Sequence, residues 1–323
     1  MHAAVVSSFD AVPEYRRFEN PVPTGPHDLV VDVLASGLHP RVRSQADGSH
    51  YTSTDELPLI PGIDGVGRGA DGTLRYFILP DTTRGSMAER TVIDVRRSIV
   101  LPADADPIAI AAAMNPAMSS WVALRRRTAF DPASNVLILG ATGSAGRMAV
   151  QVARLLGAAC IVAAGRNESS LAELVELGAT STVLLDMTDD EAAAATARRL
   201  GAASADVDVV IDYLWGEPTA AAMVAVVSAR ADRSRPLTWI EIGSVAGVEA
   251  PIPSAVLRAS RLQIVGSGQG SVPTADIVAE LPALVEAISA GAFAIHARAV
   301  PLADVATAWA APSVGTERVV FTP

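Results

Sequence analysis

Residues 136 to 158 read VLILGATGSAGRMAVQVARLLGA, and this run constrains the fold more than any other in the chain. A short apolar strand, Val136 to Leu139, breaks at Gly140 and passes Gly143 and Gly146. Apolar residues then recur at helical spacing, at Met148, Val150, Val152, Leu155 and Leu156. A glycine turn between a strand and a helix is the setting in which a dinucleotide pyrophosphate is held. Gly143 lets backbone approach the phosphates, and Gly146 lets the helix pack closely on the strand. Free N–H groups at the helix start supply a partial positive charge. The expected cradle is therefore Gly140, Ala141, Thr142, Gly143, Ser144, Ala145 and Gly146, with Ala141 standing at the first glycine of the usual G-x-G-x-x-G. The competing reading is a tight strand-to-helix turn with no ligand.

The next strand, CIVAAG, ends in Gly165, Arg166 and Asn167. An NAD site places an acid about 20 residues past the glycines, to accept the ribose 2′-OH. Here no carboxylate precedes Glu168, and an arginine can pair with a 2′-phosphate. NADPH is thus the expected cofactor. Asn167 as a helix cap beside an exposed Arg166 is the plainer alternative.

The rest of the chain agrees with an α/β enzyme. Strand patterns at VDVVIDY, LTWIEIG and LQIVGSG follow, alternating with helical patterns such as SSLAELVELGA, which implies a parallel sheet wrapped by helices. Before residue 105 the pattern is β-rich, with AAVVSSF, DLVVDVLASG and RTVIDVRRSIV reading as strands. Ile108 to Leu124, interrupted by Asn115, Pro116, Ser119 and Ser120, reads as a buried helix pair and not a membrane span. All 25 basic residues are arginine against 35 acidic ones, for a net charge of -10. That excludes lysine chemistry and offers no basic stripe to nucleic acid. The Arg125–Arg127 cluster reads as a solvated helix end. The single cysteine, Cys160, precludes a disulfide framework, and MHAAVVSSFD has no leader pattern, so a cytoplasmic location is expected.

These residues also resemble a known family. GLHPRVRSQADGSHY with PLIPGIDGVGR, MNPAMSSW, GATGSAG, IDYLWG, IEIGS, VGSGQGS and the ending PLADVATAWAAPSVGTERVVFTP resemble the medium-chain dehydrogenase/reductase superfamily, in its zinc-independent quinone-oxidoreductase-like branch, over nearly the whole chain. The resemblance implies a Rossmann doubly wound parallel sheet, residues 114–272, inserted in a β-rich GroES-like catalytic domain made of residues 1–113 and 273–323. It implies hydride transfer from NADPH to a small apolar acceptor: a quinone, an enone or an enoyl thioester. Tyr51 matches a substrate-contacting tyrosine and could donate to the developing oxyanion, or could only line the pocket. His39 matches an asparagine position and is a second catalytic candidate, with a pocket wall or core histidine as the alternative. Ser119 matches a threonine near the nicotinamide end. Tyr213 and Leu214, Ile242, Gly243 and Ser244, and Gly266, Ser267 and Gly268 are expected to complete the cofactor groove. Trp121 and Trp215 could wall the acceptor site or simply pack in the core.

No metal site is expected. Zinc-dependent relatives carry Cys at the position of His39 and Gly-His-Glu where this chain has Gly62-Ile63-Asp64, and isoleucine cannot ligate. Asp64 is then expected to pair with an arginine. Rival readings are a zinc-free remnant of an alcohol dehydrogenase and a non-catalytic NADPH-binding sensor or structural protein. The strand LQIVGSG lacks charge or proline to blunt an edge, so a homodimer built near Leu262 to Ser267 is expected.

Overall fold

A computed structural model describes residues 1–311 and 317–323. The chain divides into two compact units, Met1–Asn115 with Thr274–Pro323, and Pro116–Pro273.

The first unit begins with β1 (His2–Val5) paired antiparallel to β2 (Glu14–Arg17). It continues with β3 (Asp28–Gly37), α1 (Pro40–Ala46), β4 (Asp64–Gly69), β5 (Leu74–Ile78), β6 (Arg90–Asp94), β7 (Ser98–Val100) and α2 (Pro107–Arg126). RTVIDVRRSIV is two strands and not one: a 3-10 turn over Val95–Arg97, capped by Asp94 accepting from the Arg96 N–H, separates β6 from β7. The break sends β6 to pair with β3 and β7 to pair with β5.

α2 corrects the expected helix pair. It runs as one helix straight through Pro116, and the boundary between the units falls at that proline. The hydroxyls of Ser119 and Ser120 donate back to the carbonyls of Pro116 and Ala117 at 2.8 and 3.2 Å, so they are satisfied inside the helix and do not interrupt it. Among the described residues α2 is also the helix long and apolar enough to cross a membrane, and 67% of that stretch is buried in the protein.

The second unit carries β8 (Asn135–Leu139), α3 (Ser144–Leu155), β9 (Cys160–Gly165), α4 (Glu168–Leu177), β10 (Ser181–Leu184) and α5 (Asp190–Ala203). It is completed by β11 (Val209–Asp212), α6 (Gly216–Ala229), β12 (Leu237–Glu241), α7 (Ser254–Ala259) and β13 (Leu262–Gly266). All six strands are parallel, in the order β10-β9-β8-β11-β12-β13. A parallel sheet covered on both faces needs near-continuous apolar strands, and Val136 to Leu139 and Val209 to Ile211 are fully buried. Leu137, Val162, Val210, Met223 and Trp239 lead the core on one face. Helix ends are marked by side chains: Asn167 caps α4 and Asp189 caps α5, each accepting a backbone N–H at 2.8 Å. Left-handed Gly178 ends α4.

The chain then returns to the first unit through α8 (Thr274–Ser289), β14 (Ala297–Pro301), α9 (Val305–Ala310) and β15 (Arg318–Thr322). Among the described residues the larger sheet there has the order β14-β15-β3-β4-β5-β7. Its core is Val42, Ile60, Met87, Val305 and Phe321, with a second cluster around Val31, Phe77 and Ile93. Mixed α/β architecture, with one parallel and one largely antiparallel sheet, is thus the arrangement implied by the family resemblance.

Candidate functional site

In the parallel-sheet unit, the glycine turn is built by contact. A Cβ on Gly146 would lie 2.3 Å from the Gly140 carbonyl oxygen and 2.6 Å from Ala141 Cα, so only glycine allows α3 to start so close to β8. Gly140 has φ +77°, which also favours glycine. Gly143 differs: a Cβ there would meet only the Gly140 oxygen, at an ordinary 3.5 Å. The protein itself does not require glycine at 143, so the space over the turn is open to something else. Gly143 is the N-cap of α3 and contributes no side chain to the cap, leaving the first-turn N–H groups of Ser144, Ala145 and Gly146 for a ligand. The donor set fits a diphosphate.

Thr142 leans across to β9. A Cβ on Gly165 would come within 2.6 Å of Thr142 Cγ2, so the two residues need each other's shape. Beyond Gly165, Arg166 is exposed. The Asn167 side-chain oxygen is committed to capping α4, accepting from the Ser170 N–H at 2.8 Å and the Ser169 hydroxyl at 2.7 Å.

Tyr213, Leu214 and Trp215 follow β11. Tyr213 is buried and its phenol lies 2.9 Å from Ser119 Oγ. Burial pushes the phenol up to about 12, against a lowering by the Ser119 and Ser120 hydroxyls. It is therefore neutral at every working pH. The loop is tied down by Asp212, which sequence reasoning missed as a site residue. One Asp212 oxygen accepts from the N–H groups of Leu214 and Trp215 at 2.8 and 3.1 Å; the other accepts from Thr219 Oγ1 and Trp239 Nε1 at 2.6 and 2.8 Å. Four donors offset the cost of a fully buried carboxylate. Its signal was visible: an acid closing the apolar strand VDVVID has to be bonded or functional. Trp215 takes φ +54° and ψ -165°, a strained conformation for a side-chain-bearing residue, and packs partly against the core.

The remaining groove residues sit at the neighbouring strand ends. Ile242 and Gly243 donate their N–H groups to the Asp212 carbonyl, and Ser244 stands in the loop after them. Gly266 accepts from the Arg127 guanidinium at 2.8 Å, Ser267 is buried, and Gly268 donates to Ser271 Oγ at 2.7 Å. Glu241, half-buried beside Asp212, has its carboxyl held above the usual range by burial and then by that neighbouring charge. Trp121 is buried with the Arg125 guanidinium over its ring.

In the other unit the candidates separate. Tyr51 is 75% exposed, its ring tilted against His50 at 4.4 Å. His50 Nδ1 lies 2.8 Å from the Thr52 hydroxyl and 3.2 Å from the Thr52 N–H. A depression nearby is lined by Gln45, Thr52, Gly62, Ile63 and Asp81 among others. His39, by contrast, is 1% exposed and donates from Nε2 to Asp64 at 3.0 Å. Asp64 accepts a second bond from the Tyr76 phenol at 2.6 Å. This corrects the expected arginine partner: the carboxylate is bonded to a histidine and a tyrosine. Arg318, buried close by, contributes charge but donates to the Leu38 carbonyl. Burial holds the His39 pKa low against the opposing pull of Asp64. Among the described residues, no three His, Cys, Asp or Glu side chains gather as a metal site.

No family model matches the chain. A protein of Emericella nidulans described as a probable NADPH-dependent quinone reductase is 31% identical over 362 aligned positions, covering 100% of both chains. Among solved structures, the quinone oxidoreductase of Thermus thermophilus, determined alone and with NADPH, superposes with a TM-score of 0.76 at 22% identity over 100% of each chain. An alcohol dehydrogenase superfamily protein from Novosphingobium aromaticivorans gives 0.80 at 22% identity, covering 100% of this chain and 99% of that one. These structural likenesses speak to the fold.

Proposed function

This chain belongs to the quinone reductase family of medium-chain dehydrogenase/reductases, and from that footing we propose that it is an NADPH-dependent oxidoreductase reducing a quinone or an activated alkene without zinc. The observation that carries the reading is the open glycine turn followed by a strand end bearing Arg166 and no acid. Bound NADPH supplies the hydride; the chain's residues hold and orient.

The N–H groups of Ser144, Ala145 and Gly146 hold the diphosphate over Gly143, and Arg166 meets the 2′-phosphate. Gly165 and Thr142 shape the floor between them. Tyr213 and Ser119, with the loops at Leu214, Ile242–Ser244 and Gly266–Gly268, complete the groove. Tyr51 presents a phenolic donor to the acceptor oxygen, where a hydrogen bond made as charge develops lowers the barrier. His39 works by position and not by contact, since its ring is sealed against Asp64 and fixes the entry to α1.

The protein is further proposed to act in the cytoplasm as a homodimer. Edge strand β13 is bare of charge and proline, and Val245 and Val248 of the same unit are exposed. The test is NADPH oxidation by purified protein across benzoquinones, enones and enoyl thioesters. Turnover of at least one class supports the reading, and none with any class rejects it.

A further inference from the structure

Two separate loops and the end of β8 meet at Tyr213. A Cβ on Gly140 would touch Tyr213 Cβ at 3.3 Å, and one on Gly243 would touch the Tyr213 carbonyl oxygen at 3.3 Å. The Tyr213 N–H donates to the Leu139 carbonyl, at the last residue of β8. The residue is thus wedged between the glycine turn and the loop after β12, at the carboxyl ends of adjacent parallel strands. Ligands of open α/β sheets bind there. Its hydroxyl is held as well, 2.9 Å from Ser119 Oγ, so the phenol has a fixed position.

The hydroxyl pair has a definite polarity. Ser119 Oγ has one proton, and it points at the Pro116 carbonyl at 2.8 Å. Tyr213 must then donate to Ser119 across their 2.9 Å contact. The arrangement can switch. If a carbonyl oxygen arrives beside the phenol, Tyr213 turns its proton to it, and Ser119 releases Pro116 and donates to Tyr213 instead. The Pro116 carbonyl is a helix acceptor and loses only its extra bond.

We propose that Tyr213 is a catalytic residue of this enzyme, its phenol donating to the carboxamide oxygen of the nicotinamide ring and so fixing which face of the ring is offered, with Ser119 as its positioning residue. This rests on the NADPH reading above. The cofactor's reactive end carries one polar substituent, the carboxamide, and a neutral donor suits its carbonyl. A bond to that group sets the ring's rotation about the glycosidic link, and orientation of reacting groups governs the transfer rate.

The experiment combines binding with kinetics. Calorimetry on wild type, Tyr213→Phe, Ser119→Ala and Ser119→Thr compares NADP⁺ with 2′,5′-ADP, which lacks the nicotinamide. Tyr213→Phe should weaken NADP⁺ about fivefold or more, the scale of one hydrogen bond, and leave 2′,5′-ADP within about twofold. Its kcat should fall about 10- to 100-fold, and the isotope effect with 4-deuterated NADPH should rise. The penalty should persist with reduced 3-acetylpyridine adenine dinucleotide phosphate, which keeps the carbonyl and lacks the amide nitrogen. Ser119→Ala should show a smaller loss that Ser119→Thr recovers. Equal weakening of both ligands in Tyr213→Phe, or unchanged NADP⁺ affinity and isotope effect, overturns the proposal. If wild type binds 2′,5′-ADP and turns over NADPH, such a result leaves the NADPH reading standing. If wild type binds neither ligand, both fall.

Discussion

Arg166 stands exposed at the end of β9, beside an asparagine whose oxygen is already used as a cap. If a 2′-phosphate is met at this strand end, this guanidinium is the group to meet it. Arg166→Ala should therefore reduce the preference for NADPH over NADH by about tenfold or more, with kcat on NADPH changing little. Paired kcat/KM measurements check this, and a wild type that prefers NADH would contradict it. A second residue-scale prediction concerns His39. Burial lowers its pKa in the folded protein, so the unfolded state binds the extra proton first. Stability should then hold above pH 6.5 and decline as pH falls below that unfolded value, by at most about 1.4 kcal/mol per pH unit for one proton. Urea midpoints from pH 7.5 to 5.5 should fall less steeply in His39→Asn than in wild type. Parallel slopes would assign the acid sensitivity to another group, such as the half-buried His50.

At the scale of elements, β13 holds one edge of the parallel sheet, as LQIVGSG suggested, and its Leu262 and Ile264 reach the core only in part. Ile264→Arg should leave monomers or insoluble protein, read by light scattering, where wild type gives twice the chain mass. A monomeric wild type at micromolar concentration would count against pairing there. Elements with strong patterning were the legible ones: the parallel strands β8, β9, β11, β12 and β13 are mostly apolar, and α3 to α5 carry caps visible as Gly143, Asn167 and Asp189. The strands β2, β4, β5, β10 and β14 escaped notice for physical reasons. β4, DGVGRG, takes its place by pairing on two sides and by glycines that fit under Ala35 and Val31, not by β-propensity. β2 is exposed along its whole length and exists through its ladder with β1. α2 misled because Pro and Ser usually punctuate a helix, and here the serine hydroxyls close on the helix's own carbonyls. The glycine turn of the candidate site was readable residue by residue. The Asp64 partners were not, since His39 and Tyr76 lie 25 and 12 residues away and meet it only through the sheet.

For the whole molecule, arginine is the sole source of basic side chains other than histidine, in a chain whose net charge is -10. Every cation is a planar fork suited to carboxylates, carbonyls and phosphates, and no side-chain amine is present to form a Schiff base. The position that would need a metal-ligating histidine is Ile63, which is buried in the antiparallel unit's core. Purified enzyme should accordingly contain no stoichiometric zinc by elemental analysis and should keep its NADPH-oxidising activity after dialysis against a strong chelator. One zinc per chain, with activity lost on its removal, would refute this.

The first unit is assembled from both ends of the chain, with Phe321 of β15 lying opposite Ser36 of β3. The order of synthesis therefore matters. Residues 116–273 emerge complete and can collapse around their parallel sheet while β3 still presents an unpaired edge next to β15's future place. That edge must wait for β15 to leave the ribosome. Long-range pairing of this kind is slow and leaves strand edges exposed in the meantime. The nascent chain thus passes through a stage with its parallel-sheet unit formed and its other unit open, the stage at which a chaperone would find it.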